Sequence, residues 1–277
     1  MTHMQNNTPR DSAVMLFLQH FGLSLGTDPL TLLRQIVQSF ARLPYENLSK
    51  IIRAAKSETV TEAIPTPTQI VTEHIWWGTG GTCFSLTATL LHILRVLGWR
   101  AEPIFADRPY GPNTHCAMIV WIDGRAHLLD PGYLLTEPIL LAPSQATRVV
   151  TPFQEVVLVP REDHKLELQT ISQGKTTPRL TFKTDPVDAE LFERVWHDSF
   201  QWEMMRYPVV TTLSRDVHLY LQGNRLQTRS KQLVERRELS PEELAVRIEQ
   251  TFGISASVAQ QALAALACRG ERLEVPP

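Results

Sequence analysis

Along the first hundred residues apolar side chains recur every three to four positions, and from about Ala101 they recur every second one. That change of period divides the chain. Leu33, Ile36, Val37 and Phe40 mark one face of a helix that Asp28-Pro29 opens and Pro44 stops. A shorter helix precedes it, starting at Asp11 or Ser12 and ending at Gly22. After a polar stretch around Ser57 to Thr61, Pro67 opens a third helix through Ile70, Val71, Ile75 and Trp76. Leu86, Leu90, Ile93, Leu94 and Leu97 predict a fourth, with Gly98 placed to end it and Gly80-Gly81 blocking its extension upstream.

In the second region Ala101 to Ala106, His115 to Ile122, Ala126 to Asp130, Val156 to Val159, Leu166 to Ile171 and Leu180 to Lys183 read as short strands separated by Pro, Gly or Asp. A small antiparallel barrel or sandwich is the expected result. Beyond Asp185-Pro186 a helix returns through Leu191, Val195 and Trp196, followed by a hairpin at Gly223-Asn224. Ser240-Pro241-Glu242-Glu243 is a capping box opening a helix that ends at Gly253, and the Ala-rich stretch from Ser257 to Ala267 predicts one more. The fold class expected is α+β. No internal repeat or low-complexity tract occurs.

One hairpin can be registered from the sequence. Cys116, Met118, Val120 and Ile122 alternate with His115, Ala117, Ile119 and Trp121 and run into Asp123-Gly124, the signature of a two-residue type I′ turn. Ile122 then pairs with Arg125, which sets Asp130 across from Ala117 and His115 across from Gly132. Opposed residues share a face, so His115 and Asp130 become diagonal neighbours within reach of an imidazole–carboxylate hydrogen bond. A four-residue loop centred on the same dipeptide keeps this register, and a three- or five-residue loop breaks it.

Composition narrows the function. The chain has 277 residues, a length suited to two or three small cooperating domains, with 27 basic and 29 acidic residues and a net charge of −2. No long run of one sign supplies the footprint of a nucleic-acid binder, and Lys231 to Arg237 is only a short basic patch. Val14 to Leu18 is too short for a membrane span and lacks the basic flank and cleavage site of a secretion signal. Three cysteines far apart give neither a disulfide framework nor metal-ligand spacing. A cytoplasmic protein without a bound metal is expected.

Cys83 carries the chemistry. Gly80-Gly81-Thr82-Cys83-Phe84 places a thiol in the first turn of the fourth helix, where unsatisfied N–H groups and the macrodipole favour a thiolate. An ordinary thiol, with pKa about 8.5, is mostly protonated at neutral pH, and a helix start or a neighbouring imidazolium lowers it. His115 and Asp130 follow as base and orienting carboxylate, the order and faces that an activated nucleophile requires. His127 lies opposite Val120 on the wrong face, His92 sits nine residues along the helix, and His74 belongs to the helix before. Cys116 and Cys268 read as small core residues. Phe84, Trp121 and Tyr133 are candidates to line an aromatic substrate pocket, with ordinary core packing as the competing reading.

These motifs resemble the arylamine N-acetyltransferase family over nearly the whole chain. The matching stretches are Pro44-Tyr45-Glu46-Asn47-Leu48, Gly80-Gly81-Thr82-Cys83-Phe84, Thr114-His115, Asp130-Pro131-Gly132-Tyr133, Thr212 to Leu219 and Phe252-Gly253-Ile254. The resemblance implies an N-terminal helical bundle over 1–100, a central antiparallel β-barrel over 101–186 and a C-terminal α/β lid over 187–277. It implies a cysteine-protease-like triad of Cys83, His115 and Asp130. It further implies acyl-CoA, acetyl-CoA above all, as co-substrate with no permanently bound cofactor, and an arylamine, arylhydroxylamine or hydrazine as acceptor in a ping-pong reaction.

Three positions depart from the family pattern: Thr79 and Ser85 stand where Arg and Glu are usual, and Leu134 replaces a glycine. The Arg commonly pairs with the Glu of the Pro-aromatic-Glu-Asn-Leu motif, so a buried Glu46 must find another partner or become neutral. Rival readings keep the same triad: an amide synthase of secondary metabolism fed by an acyl carrier protein, a transglutaminase-like enzyme or hydrolase, or an inactive scaffold.

Overall fold

The computed structural model describes residues 11–142, 144–151, 153–172, 174–231 and 233–271. Its helices begin where side chains satisfy orphan backbone N–H groups. Asp11 caps α1 (Ser12–Phe21) and Asp28 caps α2 (Pro29–Phe40). A two-residue strand β1 (Tyr45–Glu46) is followed by α3 (Leu48–Lys56) and a single turn α4 (Val60–Ala63), neither of which the apolar periodicity signals. Thr66 and Gln69 form a capping box for α5 (Pro67–Trp77), and α6 (Cys83–Val96) begins at the cysteine itself.

The strands β2 (Ala101–Arg108), β3 (Gly111–Ile122), β4 (Arg125–Leu129), β5 (Ile139–Leu140), β6 (Thr147–Val150), β7 (Glu155–Arg161), β8 (Lys165–Ser172) and β9 (Lys175–Lys183) form one antiparallel sheet. Its order is β5-β4-β3-β2-β9-β8-β7-β6, a nearly closed barrel. After α7 (Ala189–Asp198), β10 (Val209–Ser214), β11 (Val217–Gln222), β12 (Arg225–Arg229) and β13 (Val234–Glu238) add a second sheet whose first strand is β1. The helices α8 (Pro241–Phe252) and α9 (Ala256–Cys268) close the described chain. This is the α+β architecture expected, with helices, barrel and α/β segment in that order.

Ile122 pairs with Arg125, Val120 with His127 and Met118 with Leu129, the register that the Asp123-Gly124 turn predicts, but the ladder ends there: the expected Asp130–Ala117 and His115–Gly132 pairs are not formed because Pro131–Tyr133 turns off as a 3₁₀ helix. Both turn residues have positive φ, 49° and 75°, as a type I′ turn needs. Both faces of β3 are buried. Cys116, Met118, Val120 and Ile122 join the core that contains α6, whereas Ala117 and Ile119 fill the barrel interior. The strand is thus a wall shared by two cores, and α6 lies on only one side of it.

The segment before α3 ties distant parts of the chain together. Glu46 N donates to Gly81 O at 2.9 Å and Gly81 N donates to Pro44 O at 3.3 Å, so the glycine pair runs directly along β1. A Cβ at Gly80 would lie 2.0 Å from Pro44 O, which excludes any other residue there. The buried Asn47 side chain donates to Met204 O and Tyr207 O and accepts from Val209 N, fastening the second sheet to the helical segment.

Candidate active site

Thr82 precedes α6 with extended backbone and makes no side-chain cap, and among the described residues its Oγ1 is buried without a hydrogen-bond partner. The first-turn N–H groups therefore face the Cys83 region uncompensated by a capping oxygen. Cys83 is 3 % exposed and His115 and Asp130 are fully buried. Asp130 Oδ2 accepts from His115 Nε2 at 2.7 Å, and Asp130 Oδ1 accepts from Tyr133 N at 2.9 Å. The carboxylate is thus the cap of the short 3₁₀ turn Pro131–Tyr133 as well as the partner of the imidazole.

With Nε2 engaged by Asp130, Nδ1 is the ring nitrogen turned away from the carboxylate, and Cys83 and His115 lie side by side against Gly132. Gly132 makes this approach possible. A Cβ there would lie 2.9 Å from Cys83 Cβ and 3.0 Å from His115 Cε1, so the two side chains meet across a residue that must have none. The Asp-Pro-Gly sequence therefore does two jobs: its first residue holds the ring and its third leaves room for the sulfur.

Burial alone would depress His115, but the Asp130 charge and hydrogen bond, joined by the Cys83 thiol, raise it to about 9. Cys83 moves the other way, well below the usual thiol value. Cys116 is the largest influence, burial opposes it, and His115 and the Arg108 charge add to the lowering. The arrangement favours a thiolate–imidazolium pair.

Two features of this site are not evident from the motifs. Arg108 Nη2 donates to His115 Nδ1 at 3.2 Å, a bond that exists only while that nitrogen is unprotonated. The β2–β3 register shifts between Ala106 and Arg108, next to this side chain, and nothing in the sequence marks it. Cys116 is a buried core residue, as expected, yet it is the largest influence on the Cys83 thiol. Strand alternation turns Cys116 away from His115 and into the core that contains α6. Cys268, expected in the core, is instead exposed near the end of α9.

The aromatic candidates are dispersed. Phe84 is buried in a cluster with Phe105, Phe192, Trp196 and Trp202, at centroid distances of 5.4–6.3 Å. Tyr133 is half-buried beside the barrel core and bonded through its N–H to Asp130. Trp121 carries Arg100 stacked 4.0 Å from its ring. It sits six residues along β3 from His115, roughly 20 Å away at about 3.3 Å per residue, so the strand does not bring it to the sulfur. His92 pairs with Asp11, His74 donates to Thr79 O, and His127 Nδ1 bonds Arg125 O.

The family departures have structural consequences. Glu46 is buried, accepts from Ser49 Oγ at 2.5 Å and Ser49 N at 2.9 Å, and burial pushes its carboxyl upward. Lys50, also buried, donates to Ser199 Oγ at 2.5 Å with its ammonium 4.2 Å from the Phe200 ring centre, and burial depresses it to about 7. The two do not form an ion pair. Among the described residues Thr79 Oγ1 is buried with no partner. Leu134 holds the left-handed conformation, φ 58°, where the usual glycine would be free of strain.

Comparisons with known proteins bear on the family and the fold. A sequence model of the family described as N-acetyltransferase matches residues 29–261. No curated protein sequence matches the chain. Among solved structures, the arylamine N-acetyltransferase from Mycobacterium abscessus superposes with a TM-score of 0.78 at 19 % identity, covering 92 % of this chain and 94 % of that one. The M. smegmatis enzyme gives 0.73 at 21 % identity, with 94 % and 98 % covered. The Mycobacterium marinum enzyme in complex with CoA gives 0.75 at 19 % identity, with 91 % and 98 % covered. With a fold shared over nine-tenths of its length and a family match across most of its residues, the chain belongs to the arylamine N-acetyltransferase family, a family of acetyltransferases.

Proposed function

We propose that this protein moves an acetyl group from acetyl-CoA to an arylamine, arylhydroxylamine or hydrazine through a thioester on Cys83. The observation that carries the reading is the buried His115–Asp130 hydrogen bond of 2.7 Å with Cys83 packed against Gly132 beside the ring. The thiolate attacks the donor carbonyl, and first-turn N–H groups of α6 face the developing oxyanion. As the tetrahedral adduct collapses, CoA leaves as a thiol, taking a proton from the imidazolium. The acceptor nitrogen then attacks the acyl-cysteine while His115 Nδ1 removes its proton, and the Cys83 thiolate is regenerated. Asp130 keeps the ring oriented and offsets its charge in both halves. The two half-reactions share one enzyme group, so the kinetics are ping-pong.

The CoA bound to the M. marinum protein supports the donor class. No described helix is long and apolar enough to cross a membrane, and the reaction is assigned to the cytoplasm on the unpaired thiols. Incubation with acetyl-CoA, followed by intact-mass measurement and peptide mapping, tests the reading. An acetyl-sized gain on Cys83, discharged by an arylamine, is expected. Absence of any Cys83 adduct with acetyl-CoA or longer acyl-CoA donors refutes it.

A further inference from the structure

A lysine without a counter-charge is buried beside the start of the nucleophile helix. Lys50 of α3 is 6 % exposed, and among the described residues its side chain meets only neutral groups. One is Ser199 Oγ, which accepts from the ammonium at 2.5 Å because its own hydrogen goes to Trp196 O. The other is the Phe200 ring. An ammonium carries three donors and a full charge, and one hydroxyl and one ring satisfy neither in full.

A cavity of about 10 Å³ lies at this place, lined by Ser49, Lys50 and Arg53 of α3 and by Thr82 and Ser85 at the start of α6. Thr82 is 2 % exposed, and its Oγ1 is the hydroxyl left without a partner. Ser85 Oγ spends its hydrogen on Thr82 O at 3.1 Å. The nearby acids are committed and do not line the cavity: Glu73 pairs with Arg53, and Glu46 accepts from Ser49 Oγ. Two basic side chains, an unused hydroxyl donor and the positive pole of a 14-residue helix therefore meet with no carboxylate among them.

We infer that this cavity holds one chloride ion between the Lys50 ammonium and the Thr82 hydroxyl. The volume suits a single monatomic species and is too small for an oxyanion. A water could accept a hydrogen bond there but would leave the lysine charge uncompensated, whereas a halide accepts from both donors and neutralises the charge. The site does not depend on which acyl donor or acceptor the protein uses.

The test compares the full chain in sodium gluconate and in sodium chloride at equal ionic strength and pH 6, below the value near 7 at which Lys50 titrates. Chloride should raise the urea midpoint of the parent and leave Lys50→Met unmoved, narrowing the gap between them. Lys50→Gln serves if the methionine variant does not fold, and Thr82→Val should lose most of the response with the lysine in place. Crystals soaked in sodium bromide should show an anomalous peak at hydrogen-bond distance from Lys50 Nζ and Thr82 Oγ1, absent in the Lys50 variant. No peak in the cavity, or a chloride response that the Lys50 variant shares, overturns the inference. A peak without a chloride-dependent shift is an adventitious ion only and overturns it as well.

Discussion

Two buried polar clusters flank the start of α6 and treat charge in opposite ways. On the barrel side Asp130 and the Cys83 thiol surround His115, and a ring without solvent is still raised to about 9. On the helical side Lys50 has a hydroxyl and an aromatic face, Glu46 has a serine, and burial depresses the one to about 7 while raising the other. Equal burial therefore has unequal consequences. A charge survives inside where an opposite charge meets it at hydrogen-bond distance, and drifts toward neutrality where only dipoles do.

Breaking the charged cluster should have the largest effect. Asp130→Asn removes the carboxylate while keeping its shape, and kcat/KM for acetyl transfer is expected to fall on the order of 10³- to 10⁴-fold. His115→Ala leaves Asp130 buried without its partner and should cost about 3–5 kcal/mol of stability in urea unfolding. Gly132→Ala comes next. Its Cβ would meet Cys83 Cβ at 2.9 Å, and prising the sulfur from the ring should slow Cys83 acylation roughly 10²-fold in single-turnover measurements.

The uncompensated cluster predicts the opposite sign. Lys50→Met should leave stability unchanged or raise it by about 1–4 kcal/mol. Because Lys50 in the folded protein titrates near 7, against 10.5 for a free lysine, the unfolded chain binds more protons between those values. The penalty is complete below pH 7 and fades as pH rises to 10.5, so the advantage of Lys50→Met should shrink across that window. His115 runs the other way: its raised value gives stability that is complete below pH 6.5 and is lost as pH rises through about 9. Denaturant midpoints measured from pH 6 to 10 separate the two trends. The smallest effect belongs to a site remote from both: Asp28→Ala removes the cap of α2 and should cost about 1 kcal/mol with acylation unchanged.

The charged cluster was also the more legible one in the sequence. Asp123-Gly124 fixes a hairpin register, and that register sets His115 and Asp130 on one face before any coordinates are known. The other cluster hides because its residues violate the binary pattern. Lys50 and Ser49 occupy buried positions of α3, where a lysine normally reads as solvated, so neither the helix nor its interior face is evident. The basic patch at Lys231 to Arg237 conceals a strand for a related reason. Much of it is β13, the outermost strand of the second sheet, and charged side chains guard such edges. Cys116 and Arg108 were illegible because their places beside the site come from packing and from a shift of strand register, neither of which leaves a period in the sequence.

The central claim is that His115, steered by Asp130, keeps the Cys83 sulfur ionised. The rate of Cys83 alkylation by iodoacetamide, followed by mass from pH 4 to 10 in a Cys268→Ser background, measures it directly. The account predicts that the rate is already near its plateau at neutral pH, with a midpoint well below about 8.5, and that Asp130→Asn moves that midpoint upward. A profile that climbs through the ordinary thiol range and is unchanged by Asp130→Asn would contradict it.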